Sequence, residues 1–193
     1  MKKMFIILFS IIFMIGCKNS IIDKPDVDSR YTKFLNENNF SKDYTITTLI
    51  STDGENYYKM VFSKYNNFFA RAAYDRDGKI KLRSFNDEYS VYNVDETGQV
   101  KKEYVGKNAN FDDDIRRFIV GDLLFRKSEP KSAEVDGFYV EEFEKNDSDI
   151  KYFFKDDGLK KVLVKTPGET IEIKIESIED MAMKELFGVS SLK

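Results

Sequence analysis

The side chains that could carry acid–base chemistry in this chain are carboxylates, and they come in clusters. Asp112-Asp113-Asp114, Glu141-Glu142, Asp147 with Asp149, and Asp156-Asp157 are the candidates. Paired carboxylates cleave glycosidic bonds when burial keeps one protonated while the other stays ionised. Each cluster here falls at a predicted helix start, in a turn or beside other charges, where water keeps both members ionised. The expectation is a solvated acidic surface with no catalytic residue, and therefore not an enzyme. Asp75-x-Asp77-Gly78 has the opening of a calcium loop, but position five is Lys79 and position twelve is Asn86. The remaining ligands and the bidentate glutamate are missing. A hairpin turn accounts for the same residues, so no metal site and no cofactor is expected.

Other chemistry is excluded by what the chain lacks. It has no histidine, no tryptophan and one cysteine, Cys17. Ser-His and Cys-His nucleophiles are excluded, as are zinc sites built from His or Cys and the usual proton shuttle near neutral pH. Cys17 itself points to a modification. Lys2 and Lys3 precede an apolar run over residues 4–15, with Ser10 its only polar side chain, followed by Gly16. The run has the length of a signal-peptide core and is short for a bilayer span. Small Gly16 before Cys17 fits cleavage between the two, and Met14-Ile15-Gly16-Cys17 resembles a bacterial lipobox. In that reading Cys17 is lipidated and holds the mature chain outside the cytoplasmic membrane. Each buried CH₂ contributes ~0.8 kcal/mol, and more than one acyl chain gives a lasting anchor.

With 193 residues, 41% hydrophobic and 34% charged, the chain has enough sequence for one folded domain and its core. Removal of the signal takes Lys2 and Lys3 from the 31 basic residues, which then face 34 acidic ones, a net charge of −5. An acidic chain without a basic block is a poor match for nucleic acid. The expected organisation is a signal over residues 1–16, a lipidated polar tether over 17–28 containing Pro25, and one β-rich domain over 29–193.

The elements that must position any site follow from periodicity. Tyr31, Phe34 and Leu35 share a face of a predicted helix over residues 29–40, with Asp28 or Ser29 as N-cap. The period then changes to two. Strands are predicted over 44–50, 56–65, 68–74, 79–85, 88–94 and 99–105, separated by turns such as Asp53-Gly54 and Asp77-Gly78. A helix over 110–127 follows, with Asn110 as N-cap, acidic residues in its first turn, Arg126 and Lys127 in its last, and Pro130 beyond. Strands resume over 138–143, 149–154, 159–166 and 169–178, and residues 179–187 can form a closing helix. In the last strand Ile171, Ile173 and Ile175 alternate with Glu172, Lys174 and Glu176, which makes one face apolar. The fold class expected is α+β, a single large curled antiparallel sheet forming an incomplete barrel covered by two or three helices.

Aromatic residues are in excess, with 17 Phe and 11 Tyr. Tyr57-Tyr58, Phe68-Phe69 and Phe153-Phe154 each place one ring on either face of a strand. Core filling is one use, and an exposed partner surface or a lined acyl cavity is another. If residues 169–178 form an edge strand, its backbone offers a route to a homodimer.

The lipobox, the N-terminal helix, the meander with Asp-Gly turns, the inserted helix and the ending near Leu186-Phe187-Gly188 together resemble the LolA/LolB-like lipoprotein fold. Segments such as Tyr57-Tyr58-Lys59-Met60-Val61 and Asp77-Gly78-Lys79-Ile80-Lys81-Leu82 carry the likeness to its GerS-type germination lipoproteins. The resemblance implies a non-enzymatic, LolA-like domain anchored outside the membrane. It implies a partner, a CwlD-type N-acetylmuramoyl-L-alanine amidase of the spore cortex, supported during spore formation so that germination can follow. The carriers of the same fold imply the alternative, a lipid or lipoprotein carrier holding acyl chains in a concave apolar cavity.

Overall fold

The computed structural model describes residues 29–54, 56–107, 114–120, 130–145 and 148–188. Helix α1 spans Arg30–Asn38. The Ser29 hydroxyl caps it by accepting from the Thr32 amide at 3.1 Å, as a short polar side chain does at a helix start. Six strands follow: β1 Tyr44–Thr52, β2 Tyr58–Tyr65, β3 Phe68–Tyr74, β4 Ile80–Asn86, β5 Ser90–Asp95 and β6 Val100–Tyr104. Helix α2 spans Asp114–Val120. Five more strands complete the sheet: β7 Lys131–Val135, β8 Phe138–Lys145, β9 Ser148–Lys155, β10 Gly158–Thr166 and β11 Glu169–Glu179.

All eleven strands form one antiparallel sheet in the order β6-β5-β4-β3-β2-β1-β11-β10-β9-β8-β7. Two meanders therefore run outward from a central seam where β1 meets β11, and β6 and β7 are the two open edges. The chain joining β6 to β7 must cross from one edge to the other, and α2 lies within that crossing. The seam pairs Ile50 with Ile173 and Thr45 with Glu179, with a bulge at Thr47/Thr48.

Adjacent strand residues point to opposite faces, and both faces are used. Met60 and Phe62 join a large cluster with Ile46, Ile50, Tyr152, Phe154, Val162 and Ile173, packed under α1 and α2. Val61 turns the other way, into a smaller cluster with Ala70, Ala72, Phe85, Leu186 and Phe187. A C-terminal strap containing a 3-10 turn at Lys184–Leu186 covers this second cluster.

Three expectations change. The balance is mostly sheet: the described helices have nine, seven and three residues, so the helical cover is partial. The expected helix over 179–187 is instead the end of β11, an irregular stretch and the 3-10 turn. Its Met183 backbone is bound by side chains of the sheet, because the Met183 amide donates to Thr45 Oγ1 at 3.0 Å and Ser63 Oγ at 2.9 Å. Finally, β11 is not an edge. It is paired on both sides, with β1 and β10, which removes the edge-pairing route to a homodimer through Ile171, Ile173 and Ile175. Ile173 is buried, and Ile171 and Ile175 pack against the large cluster as core.

Sequence reading missed β7, which is short and fully exposed. The signal was the pair Asp136-Gly137, whose φ values of 51° and 76° are those of a two-residue hairpin turn. The helix expected over 110–127 is described only as α2, and Asn110, Asp112, Asp113, Arg126 and Lys127 lie outside the described residues.

Candidate functional site

Cys17 and Gly16, the residues of the expected lipidation and cleavage, lie outside the described residues, as does Asp147. The remaining acidic clusters separate into distinct structural roles. Glu141 is the exception to the solvated reading. It is 1% exposed and reaches from β8 to the start of α1. Its two carboxylate oxygens accept the Arg30 amide at 2.7 Å and the Tyr31 amide at 3.0 Å. Those amides have no partner within the helix, and a negative charge there meets the positive end of the dipole. Glu141 thus fixes α1 to the sheet. Its neighbour Glu142 points to the opposite face and pairs with Lys151 at 3.1 Å.

Glu142, Glu144 and Asp149 place carboxylate oxygens within 4.8 Å of one another, the one such group among the described residues. Lys151 bridges Glu142, and Lys131 is hydrogen-bonded to Glu144. The group is therefore charge-compensated by lysines on β7 and β9. Asp156-Asp157 forms the β9–β10 turn, with φ values of 51° and 60°. Asp75 uses its Oδ1 to accept the Asp77 amide at 3.0 Å and the Lys79 amide at 2.9 Å, closing the hairpin from within.

The electrostatics agree with this placement. The Lys79 amide, as the largest influence, holds Asp75 below the usual carboxylate range. The Thr97 hydroxyl does the same for Asp95, and Lys81 and Lys131 do so for Glu96 and Glu144. At Asp87 burial pushes the carboxyl up, but the Tyr92 hydroxyl and the Tyr89 and Ser90 amides outweigh it and bring it down. Among the described residues, each carboxyl that is displaced moves down. A glycosidase-type acid needs the opposite.

The sheet face beneath α1 is filled by rings. Tyr31 stacks on Tyr152 with centroids 4.0 Å apart, and Phe143 meets both edge-on at 6.0 and 5.6 Å. Phe34 packs against Phe154 at 6.4 Å. The Tyr31 and Tyr152 hydroxyls both donate to the Phe118 carbonyl of α2, at 3.2 and 2.9 Å. The aromatic excess thus goes largely to the core, with polar tips that tie α1, through Tyr31, and β9, through Tyr152, to α2. Beside α1, Phe34, Asn38, Leu159, Ile175 and Ile178 line a hollow of about 200 Å³. A second hollow of about 350 Å³ lies over Ala133, Val140, Phe153 and Leu163 near the β7 edge. Sites that enclose a drug-sized ligand occupy roughly 300–1,000 Å³, so the first hollow falls below that range and the second lies at its lower end.

The other face of β8–β11 is a plane of charges and rings. Lys174 approaches Glu172 at 3.6 Å and lies 3.8 Å from the Tyr57 ring centroid. Lys161 sits 4.2 Å from the Phe153 centroid. Phe153 and Phe154 do divide between faces as the strand period requires. Large apolar side chains left in solvent gather elsewhere, around β6: Tyr89 is 43% exposed, Val100 60%, Tyr104 74% and Val105 54%.

The chain is similar in structure to an uncharacterized conserved protein from Thermus thermophilus, with 8% identity and a TM-score of 0.49, over 83% of this chain and 94% of that one. It is similar to LprF from Mycobacterium bovis at 7% identity and a TM-score of 0.44, over 78% and 91%. It is similar to the LolA superfamily protein NE2245 from Nitrosomonas europaea at 10% identity and a TM-score of 0.39, over 82% and 97%. No family model and no curated protein matches the sequence. What the chain's own topology defines is an open, single-sheet β protein whose two faces are covered by different ends of the chain.

Proposed function

We propose that this chain is a membrane-anchored, non-catalytic lipoprotein that docks a protein partner outside the cytoplasmic membrane. Cys17 would carry the anchor and residues 17–28 would give reach. The observation that carries this reading is the filling of the sheet face beneath α1: Tyr31, stacked on Tyr152 at 4.0 Å, occupies apolar space that a carrier would need open for acyl chains. The described acidic residues support it, since Glu141 caps a helix, Asp156-Asp157 forms a turn and Glu142 and Glu144 pair with lysines. The resemblance to GerS-type germination lipoproteins supplies the partner to test, a CwlD-type amidase of the spore cortex, with a role in spore formation that enables germination.

The test uses the full chain, purified in detergent and mixed with the amidase. Size-exclusion chromatography with light scattering reads the complex, and mass spectrometry of an organic extract reads bound lipid. A stable complex without stoichiometric lipid other than that attached to Cys17 is the expected result. Stoichiometric free acyl lipid and no complex would overturn the reading in favour of a carrier. Labelling with radioactive palmitate, lost in Cys17→Ala, checks the anchor.

A further inference from the structure

Strand β6 ends the sheet on one side, and its hydrogen-bonding direction alternates residue by residue. The Asp95 amide donates to the Gln99 carbonyl and the Val105 amide to the Tyr89 carbonyl, both across the β5–β6 pair. In an antiparallel pair the bonded residues recur every second position. Lys101 and Glu103 therefore spend their N–H and C=O groups on β5, while Val100, Lys102 and Tyr104 direct theirs away from it. Among the described residues no strand lies beyond β6, and every residue of it is exposed.

An open ladder of this kind accepts one more strand. A second copy of the chain offers β6 itself, related by a two-fold axis. Outward groups meet outward groups only when the axis passes through a residue. An axis at Lys101 sets that lysine against its own copy, and an axis at Glu103 sets glutamate against glutamate. Each also leaves part of the strand unpaired, and like charges directly opposite destabilise a pair. The axis at Lys102 pairs the whole strand. Lys101 then faces Glu103 of the second copy, twice over, and Val100 faces Tyr104, twice over. The opposite charges fall at non-hydrogen-bonded positions, where side chains approach most closely. Val100 and Tyr104, 60% and 74% exposed, cover each other. Lys102 alone faces its own copy, and its ammonium is drawn back over β5, 5.3 Å from the Tyr92 ring centroid. The Tyr92 hydroxyl donates to Asp87 at 2.6 Å, which brings a carboxylate to the same corner. The opposite edge lacks this self-complementarity. Full overlap of β7 with its own copy sets Lys131 against Val135 and Ser132 against Glu134, with no opposite charges paired.

We infer that β6 pairs antiparallel with β6 of a second copy, about a two-fold axis at Lys102, and so joins two eleven-stranded sheets edge to edge. The pairing goes beyond the proposed docking function and does not depend on it. Val100, Lys102 and Tyr104 exchange their outward backbone bonds with Tyr104, Lys102 and Val100 of the second copy. An interface of one short strand a side is at the small end of those that hold complexes together, so the dimer is concentration-dependent.

The experiment uses the full chain in density-matched detergent, with micelles in excess of protein. Sedimentation equilibrium over a concentration series reads the monomer–dimer equilibrium, and hydrogen exchange resolved to single residues reads the contact. The wild type should dimerise, with exchange at the Val100, Lys102 and Tyr104 amides slowing as the dimer fills. Lys101→Glu and Glu103→Lys each set like charges opposite one another and should each weaken the dimer at least tenfold. An equimolar mixture of these two variants restores both opposite-charge pairs and should dimerise as tightly as the wild type. Misfolded variants would not recover on mixing, so the mixture separates lost pairing from lost folding. Lys102→Pro removes an outward N–H while sparing the bonds to β5, and should weaken the dimer at least tenfold. Glu134→Pro, on β7, should leave the equilibrium unchanged. A wild type that stays monomeric at every concentration overturns the pairing. So does a dimer that neither charge variant weakens, or a mixture no tighter than its components. A monomer that still forms a complex with the amidase would overturn the pairing and leave the docking function intact.

Discussion

The two faces of the sheet are covered by opposite ends of the chain, and by different means. Under α1 the cover is a regular helix, capped by Ser29 and Glu141 and packed through rings. Across the sheet the cover is an irregular strap whose Leu186 and Phe187 are buried on Ala70, Ala72 and Phe85. The first cluster draws on both meanders and both helices, so its loss dismantles the seam. The second draws only on β2–β5 and the strap itself. A helix satisfies its own backbone, whereas a strap must borrow partners, here the Thr45 and Ser63 hydroxyls.

That contrast can be broken at its strongest point first. Tyr152→Ala removes a ring stacked on Tyr31 and should cost about 3–5 kcal/mol of global stability, read by urea unfolding. A loss under about 1 kcal/mol would mean that the helix–sheet core does not carry the fold. Leu186→Ala should cost about 2–3 kcal/mol, with exchange rising in the strap and β2–β5 and little changed in β8–β10. Equal acceleration in both halves would show the two faces to be one cooperative unit. Glu141→Ala leaves the Arg30 and Tyr31 amides without acceptors and should cost about 1–3 kcal/mol. Glu141→Gln, which keeps one acceptor, should recover part of that in the same denaturant series.

Two smaller tests sharpen the strap side. A Cβ on Gly188 would sit 2.5 and 2.7 Å from Phe85 ring carbons, and Phe85 is itself buried and stacked on Tyr92 at 4.9 Å. Gly188→Ala should cost about 1 kcal/mol by overpacking and leave the α1 side unchanged in near-ultraviolet circular dichroism. Asp87 supports the same corner through the Tyr92 hydroxyl at 2.6 Å. Its folded carboxyl titrates below the ordinary 3.8, so its contribution is fully present above that value and is lost as pH falls through the lower, folded one. The wild type should therefore lose more Tm between pH 7 and pH 3 than Asp87→Asn does.

Much of this was legible in the residues. The helix at Arg30–Asn38 followed from the spacing of Tyr31 and Phe34 and from Ser29 before them. Ten strands followed from alternation and from turns such as Asp77-Gly78. The missed strand, β7, is exposed on both faces and has no apolar alternation to read. Glu141 was misread because Glu141-Glu142 is a charged pair in sequence, while the strand period sends one member to the core and the other to solvent. Its buried partners are two backbone amides about 110 positions away, and no local pattern records them.

The sequence by itself determined the antiparallel strands, the hairpin turns and the first helix, because alternation, φ-permissive turn residues and capping are local. It also removed histidine chemistry by composition. Only the tertiary structure decided that β11 is the seam and that β6 and β7 are the edges. A period of two reads the same in a central strand as in an edge strand. Which one a strand becomes depends on pairing between distant segments such as Ile50 and Ile173, and that pairing is settled by packing of the whole sheet.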